Sequence, residues 1–401
     1  METHGLNAAR MKERNYRRFI NALRFKPMTR AQMGREMGLT RAATGVIAEN
    51  LIFAGVIREG PLHYQGQYSS KALFWNKDFC HIGGINLGRD SIKAGLADFS
   101  GNVLDSRHIP ISECCSGPDA IHRISLCLEQ MLEARKPAGR FLGIGVASPG
   151  PLNTESGTIL KPPSFDLMWN CPVSSLLSDR FHCDVVLEND ANALAMAERW
   201  YGLNGKYDRF MELLVDTGVG AALILDGRLY IGSAGFGNGF GHTSIDMNGP
   251  RCVCGNNGCV EMYAAIPRIA EAAKKTDPSL DSWRAIVDAA CDGEALALQA
   301  LNNEAQYLAL LIVNASNVLN IQAVVFAGEQ VLYRPALLLA TVEQEVNRRI
   351  AASGERSIAI LPSQIPDNAK ILSCTNLMAE KYLEQPFMFS DAVKQSESDG
   401  D

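Results

Sequence analysis

The sequence predicts an α/β protein built from an N-terminal helix-turn-helix head and a body of two similar α/β lobes, with a metal loop in the second lobe. Three observations predict this architecture. The first 60 residues show helical apolar spacing interrupted by Pro27 and Gly38. The body repeats one scheme of short strands, helices and buried strands. Between residues 242 and 261, three cysteines fall within eight positions.

Length and composition indicate the class of protein. A chain of 401 residues is longer than one core usually holds, which favours two or three domains. Eleven cysteines, without an apolar signal segment in the first 20 residues, favour reduced thiols and a cytoplasmic location. Apolar runs such as residues 308–313 are too short to span a bilayer, so we expect no membrane insertion.

Charge is unevenly distributed along the chain. Residues 1–60 carry 11 Lys and Arg against 5 Asp and Glu, a net charge of +6. Because the whole chain has a net charge of −6, the remainder carries −12. A basic head on an acidic body predicts nucleic-acid binding by the head alone. A basic, solvated face without a nucleic-acid partner is the alternative.

The head, residues 1–79, begins with two predicted helices. Apolar residues at helical spacing predict a first helix over residues 15–25, which Pro27 ends. A short second helix is expected over residues 30–37, with Thr29 as its N-cap.

Gly38 makes the turn into a third predicted helix, which Thr40 caps. Helix, short helix, glycine turn and helix together are the helix-turn-helix pattern, whose last helix enters the major groove of DNA. We expect the third helix to reach base edges and the second to contact phosphates. The predicted DNA contacts are Arg30, Arg35, Thr40, Arg41 and Thr44.

Two short apolar segments after the third helix, residues 56–58 and 73–74, predict a two-stranded wing. The wing would complete a winged helix-turn-helix domain. The alternative for the head is a helical module that binds another protein.

Residues 80–188 are predicted to form the first α/β lobe. Strands and turns are expected over residues 82–111, followed by an amphipathic helix over residues 119–135. The apolar run 141–147 is typical of a buried parallel strand. A C-terminal helix within residues 370–386 is expected to complete this lobe.

Residues 189–369 are predicted to repeat the scheme as the second lobe. Short strands joined by tight turns over residues 211–231 correspond to those of the first lobe. Helices and a buried strand over residues 323–327 follow. The remaining segment, residues 387–401, is polar and acidic, and we expect it to be disordered.

The loop over residues 242–261 has the composition of a metal site. Thiolates and an imidazole on a glycine-bent loop suit a tetrahedral Zn²⁺, and four protein ligands would make the site structural rather than catalytic. Three unconnected buried thiols are the alternative. The candidate ligands are His242, Cys252, Cys254 and Cys259.

This loop also carries a family resemblance. Gly-His followed by Cys-x-Cys-Gly-x-x-Gly-Cys-x-Glu resembles the signature of the ROK family, which includes sugar-responsive repressors and sugar kinases. The resemblance covers about residues 15–383. It implies two lobes of the actin-like ATPase fold with a ligand cleft between them, zinc in the loop, and a winged helix-turn-helix in the repressors. It also implies that His242 and Glu261 contact a sugar.

A second motif, Glu-Asn-Asp-x-Asn at residues 188–192, matches the family as well. The resemblance implies that Asn189 and Asp190 hydrogen-bond sugar hydroxyls. Asp190 is the equivalent of the general base of the kinases, and a carboxylate near a hydroxyl suits binding or catalysis equally. A helix N-cap is the simpler alternative. Gly239 stands where the family has a sugar-contacting Glu, so the ligand could be a sugar or a sugar phosphate.

The two turns that hold ATP phosphates in the family's kinases differ here. Asp-x-Gly-Gly-Thr is replaced by Asn-Leu-Gly-Arg-Asp at residues 86–90, and Gly-Thr-Gly-x-Gly by Asp-Thr-Gly-Val-Gly at residues 216–220. A carboxylate about 4 Å from a phosphate charge costs about 4 kcal/mol at an effective dielectric of 20. This repulsion exceeds a few hydrogen bonds of about 1 kcal/mol each. We therefore expect no ATP and no enzyme activity, although residual kinase activity stays open.

Together these observations predict a sequence-specific transcriptional regulator, most simply a repressor, of carbohydrate metabolism. Its expected partners are a double-stranded DNA operator, a sugar or sugar-phosphate ligand in the cleft, and further copies of itself in a homodimer or homotetramer. Zn²⁺ is the expected cofactor. Two alternatives remain: a ROK sugar kinase with an appended DNA-binding domain, and a module that binds a transport-system protein.

Overall fold

The computed structural model describes residues 15–16, 18–23, 26–64, 67–137, 139–163, 165–232, 239–365 and 369–384. The chain divides into two compact units, residues 1–188 with 367–401, and residues 189–366. Residues 387–401, expected to be disordered, lie outside the described residues. No helix among the described residues is long and apolar enough to cross a membrane.

The first unit starts with three helices and a hairpin. Thr29 and Thr40 accept hydrogen bonds from backbone N–H groups at the starts of the second and third helices, and Gly38 ends the second with φ 66°. The hairpin strands are antiparallel, with Ile57 opposite Trp75. These elements are α1 (residues 18–23), α2 (Arg30–Met37), α3 (Arg41–Phe53), β1 (Ile57–Tyr64) and β2 (Gln67–Trp75).

A five-stranded sheet follows in the same unit. Its order is β5-β4-β3-β6-β9, in which β3 and β6 are parallel and β3, β4 and β5 form an antiparallel meander. A two-stranded sheet pairs β7 with β8. The elements are β3 (Cys80–Leu87), β4 (Ser91–Asp98), β5 (Val103–Pro110), α4 (Gly117–Arg135), β6 (Arg140–Ser148), β7 (Leu152–Asn153), β8 (Thr158–Ile159), α5 (Val173–Phe181) and β9 (Asp184–Asn189).

The C-terminal helix, Ala369–Glu384, packs directly on this first sheet. Glycines in three neighbouring strands make room for it. A Cβ at Gly84 would lie 2.9 Å from Thr375 Cγ2, and one at Gly145 would overlap the backbone carbonyl oxygen of Cys374. Gly95 faces Ile371 in the same way. The helix therefore approaches the sheet more closely than any side chain at these positions would allow.

The second unit repeats the topology of the first. Its sheet has the order β12-β11-β10-β13-β14, with an antiparallel meander and two parallel strands. This is the repeat that the sequence predicts. The elements are α6 (Asp190–Ala197), β10 (Phe210–Val215), β11 (Val219–Leu225), β12 (Arg228–Leu229), α7 (Glu261–Ala264), α8 (Ile266–Thr276), α9 (Trp283–Cys291), α10 (Ala295–Leu319), β13 (Ala323–Ala327), α11 (Ala336–Arg349) and β14 (Ala359–Pro362).

Among the described residues of the second unit, three carboxyl groups are buried, those of Glu198, Glu212 and Glu304. Glu198, in a π-helical turn after α6, accepts hydrogen bonds from Ser363 Oγ at 2.7 Å and from the Gln364 amide at 3.1 Å. Glu212 on β10 is fully buried, and neither carboxyl oxygen has a hydrogen-bond partner in the described part of the chain. Burial raises the pKa of Glu212 well above its usual value, and the charge of Glu198 raises it further.

This pKa shift predicts a pH-dependent stability. The folded state holds the Glu212 proton more tightly than the unfolded state does, so protonation stabilises the fold. This stabilisation is fully present below the unfolded pKa of about 4.3 and is lost as pH rises towards the folded pKa. Glu212→Gln keeps the shape and carries no charge at any pH. Between pH 5.5 and 8.5, the free energy of unfolding of Glu212→Gln minus that of the wild type should increase by at most about 1.4 kcal/mol per pH unit.

Urea denaturation at several pH values measures this difference. The exposed Glu271→Gln is the matched control, and its curve should run parallel to that of the wild type. If Glu212→Gln also runs parallel to the wild type, Glu212 is not a neutral carboxyl group in the folded protein.

Candidate functional site

The four predicted metal ligands meet in the second unit. His242 Nδ1 lies 3.6 Å from Cys252 Sγ, and Cys254 Sγ lies 3.6 Å from Cys259 Sγ. All four ligand atoms lie within 4.8 Å of one another. Tetrahedral zinc with Zn–S bonds of about 2.3 Å would separate its sulfur ligands by about 3.7 Å. The residues therefore fit a zinc ion bound by one imidazole and three thiolates.

Glycines allow the chain to wrap around this cluster. Gly255 and Gly258 have φ of 95° and 63°, where other residues are strained. A Cβ at Gly258 would also overlap the carbonyl oxygen of Asp246. A β-bridge between Ser244 and Cys259 joins the two ends of the loop. The loop conformation thus requires the glycines that separate the cysteines in sequence.

The thiols of the cluster have different acidities. Burial raises the pKa of Cys259 to about 12. The backbone N–H of Asn256 lowers the pKa of Cys254, which is exposed. A divalent cation would reverse the effect of burial because it stabilises thiolates, so metal binding at this cluster should release protons.

Both ends of the metal loop reach one turn of the second sheet, residues 216–220. At one end, Gly241 packs so tightly on the Val219 carbonyl that a Cβ at position 241 would overlap it. At the other, Glu261 Oε2 accepts a hydrogen bond from the Val219 amide at 3.1 Å. The loop and the turn are therefore held together on both sides of Val219.

Asn189 and Asp190, which were predicted to contact the sugar, lie at the start of α6. Asn189 Oδ1 caps the helix by accepting from the amides of Ala191 at 3.0 Å and Asn192 at 3.3 Å. Asp190 Oδ1 accepts from the Ala191 amide at 2.9 Å. Ala191 Cβ lies 3.7 Å from the position of a Cβ at Gly220. The start of α6, the residues around His242, and Glu261 therefore all lie against the turn at residues 216–220.

The two turns that differ from the kinase pattern are both engaged internally. In the first unit, Arg89 Nε donates to the Pro163 carbonyl at 3.2 Å, and the Gly88 amide donates to the Ser91 carbonyl at 3.0 Å. In the second unit, Gln330 Nε2 donates to Asp216 Oδ1 at 2.6 Å. Side chains of both turns are therefore held by hydrogen bonds within their own units.

In the head, the exposed face of α3 carries few polar groups. Thr40 and Arg41 are exposed at its start, and Arg35 is exposed on α2. Further along, Ala42 is exposed and Val46 is 57% exposed. Val46 was not among the predicted contacts, although its spacing of four residues from Ala42 puts both on one helix face.

Two predicted DNA contacts are placed differently from what we expected. Thr44 is buried and its hydroxyl donates to the Thr40 carbonyl at 2.9 Å, so the prediction that it reaches a base is wrong. It lies where α3 crosses α2, 3.1 Å from the position of a Cβ at Gly34. Arg30 donates to Glu59 at 2.9 Å and to Glu49 at 3.2 Å, which links α2 to α3 and β1 instead of leaving the guanidinium free.

Comparison with known proteins gives the family. A model described as the ROK family matches residues 82–381. The chain belongs to the ROK family. The xylose repressor of Caldicellulosiruptor bescii is 29% identical over 380 residues, covering 90% of this chain and 94% of that protein. The DNA-binding transcriptional dual regulator NagC of Escherichia coli is 26% identical, covering 86% and 87%. The glucokinase of Thermotoga maritima is 27% identical, covering 74% and 97%.

Solved structures share the fold. A ROK family transcriptional regulator, a homologue of the Escherichia coli MLC protein, aligns with a TM-score of 0.79 and 24% identity, covering 96% of this chain and 99% of that one. A ROK hexokinase from Thermus thermophilus aligns with a TM-score of 0.66 and 24% identity, covering 76% and 99%. These likenesses confirm the α/β fold predicted for the body.

Proposed function

We propose that this ROK family protein is a DNA-binding transcriptional repressor of carbohydrate metabolism that responds to a sugar or sugar derivative. One observation carries the proposal: the chain has a basic head of helices and a hairpin before residue 82, where the family match begins. The xylose repressor covers 90% of the chain and the glucokinase 74%. The head is thus the part in which a regulator and a kinase of this family would differ.

The head is proposed to be a winged helix-turn-helix, with α2 and α3 as the helix pair and β1 and β2 as the wing. α3 would lie in the major groove. Thr40 and Arg41 would reach base edges or phosphates, and Arg35 a phosphate. Ala42 and Val46, two exposed apolar side chains in the first half of α3, are suited to thymine methyl groups.

Arg41→Ala is expected to weaken binding to a specific operator about 5- to 150-fold, the loss of about 1–3 kcal/mol that one good base contact gives. Lys274→Ala removes the same charge from an exposed site on α8 and should have no effect. Thr44→Val keeps the buried shape of Thr44 and should bind as the wild type does. Titration of a fluorescent operator at fixed salt measures all three; equal affinity for wild type and Arg41→Ala would contradict this choice of helix face.

The sugar is proposed to bind the second unit beside the turn at residues 216–220, with Asn189, Asp190, His242 and Glu261 as its contacts. Zinc, held by His242 and the three cysteines of the loop, would be structural, since four ligands leave no open position. The chain's own contribution is to hold His242 and Glu261 in fixed positions against Val219. Thermal-shift screening with sugars and sugar phosphates identifies the ligand, because binding raises the unfolding temperature.

The regulator is proposed to act as a homodimer or homotetramer, since paired heads match paired half-sites on DNA.

A second candidate function, an ATP-dependent sugar kinase, is favoured by Asp190 at the start of α6 and by the glucokinase relative. A coupled ATPase assay over a panel of hexoses, pentoses and amino sugars separates the two. Turnover with any sugar would favour the kinase.

A further inference from the structure

Cys254 differs from the other thiols of the metal loop in its exposure. It is exposed, as are Cys115 and Cys291 elsewhere in the chain, whereas Cys252 and Cys259 beside it are buried. Its sulfur lies 3.6 Å from that of Cys259, while Cys115 and Cys291 do not belong to the group of four clustered ligand atoms. A small reagent in the solvent therefore reaches Cys254 at a place where a second thiol lies next to it.

The loop leaves room for Cys254 to move towards Cys259. The backbone of Cys259 is held by a β-bridge with Ser244, and its side chain is fully buried. Gly255, which follows Cys254, has no heavy atom of the described part of the chain within 4 Å of the position of an added Cβ. A disulfide bond requires the separation of the two sulfurs to fall from 3.6 Å to about 2.0 Å. Movement of Cys254 on the open side of the loop supplies this change.

We propose that Cys254 is a site of oxidation by hydroperoxides and that the product is a disulfide with Cys259. The Cys254 sulfur attacks one oxygen of the hydroperoxide, the O–O bond breaks, and Cys254 becomes a sulfenic acid while water or an alcohol leaves. The Cys259 sulfur then attacks the Cys254 sulfur, the S–O bond breaks, and water leaves. The two sulfurs lose two electrons and the hydroperoxide gains them. The two protons come from the thiols or, where zinc holds thiolates, from solvent.

This disulfide removes two of the four metal ligands. A disulfide sulfur carries no negative charge, so His242 and Cys252 alone remain as ligands and the site no longer holds the ion. His242 and Glu261, which follows Cys259 by two residues, are also the proposed sugar contacts of this loop. Oxidation and sugar binding are therefore linked. That link rests on the proposed function, whereas the oxidation step itself depends on neither the DNA nor the sugar proposal.

The test is to add hydrogen peroxide to the zinc-loaded full chain, to follow zinc release with a chromophoric chelator, and to locate disulfides by mass spectrometry of unreduced peptides. We expect release of about one zinc per chain, a disulfide between Cys254 and Cys259, and renewed zinc binding after reduction with dithiothreitol. The double variant Cys115→Ser, Cys291→Ser removes the other two exposed thiols and should release zinc at the wild-type rate.

Cys254→His keeps a ligand for zinc but has no oxidisable sulfur at the exposed position. We expect it to release zinc at least about tenfold more slowly than the wild type, because the thiols of Cys252 and Cys259 are buried. If this variant does not bind zinc, the disulfide map of the zinc-loaded wild type decides the question.

Two results would overturn the proposal. One is a disulfide in the oxidised wild type that joins a different pair of cysteines. The other is a zinc content that stays unchanged at a peroxide concentration that oxidises Cys115 and Cys291. Operator titration of the untreated protein, carried out separately, reports on the proposed function alone.

Discussion

Cys259→Ser is expected to remove zinc from the protein and to lower its unfolding temperature by about 10 °C or more. Cys259 is fully buried and lies within 4.8 Å of the other three ligand atoms. Structural zinc contributes about 10–16 kcal/mol to the folding of isolated zinc-binding peptides. Even a fraction of that free energy would shift the unfolding temperature strongly, at about 2–4 °C per kcal/mol for domains of this size.

The matched control is Cys171→Ser. Cys171 is also buried, belongs to the first unit and is not one of the four clustered residues. Elemental analysis should give about one zinc per chain for the wild type and for Cys171→Ser, and none for Cys259→Ser. Wild-type zinc content in Cys259→Ser would contradict the ligand assignment.

Gly145→Ala is expected to cost about 3 kcal/mol or more of stability, because a Cβ at this position would overlap a backbone atom, the Cys374 carbonyl oxygen. Because the clash is with a backbone atom, no side-chain rotation can relieve it. The C-terminal helix would have to move away from the sheet. Gly84 and Gly95 face the same helix, so neighbouring strands could not absorb the shift.

Gly45→Ala provides the opposite expectation. Gly45 lies in α3 with nothing within 4 Å of its added Cβ, and alanine favours a helix over glycine by about 1 kcal/mol. Denaturation curves should therefore move in opposite directions for the two variants. A Gly145→Ala protein as stable as the wild type would show that the C-terminal helix does not pack on the glycines of this sheet.

Local patterns in the sequence predicted the regular elements well. The strand expected over residues 323–327 is β13, and the repeated meander is present in both sheets. These elements follow from short-range periodicity, which sequence carries directly. The C-terminal helix was expected within residues 370–386, and it spans Ala369–Glu384. Polar Ser373, Thr375 and Asn376 are buried in this helix, so its buried face does not follow hydrophobic spacing alone.

Long-range contacts were the part that sequence could not supply. Thr44 was expected to face DNA from its place near the start of a helix, yet the crossing of α2 at Gly34 buries it. Arg30 was expected to be free, and two glutamates distant in sequence bind it. The four metal ligands were predicted because their chemistry and spacing are local. The hydrogen bond from Val219 to Glu261 joins residues 42 positions apart, and no local signal indicates it.

The most direct test of the central claim is to select binding sites from random double-stranded DNA with the full chain, and then to measure its affinity for the selected site with and without sugars. The account predicts one recurrent sequence, an affinity that falls with salt, and at least one sugar or sugar phosphate that changes this affinity about tenfold. Binding without sequence preference that no sugar alters would contradict it.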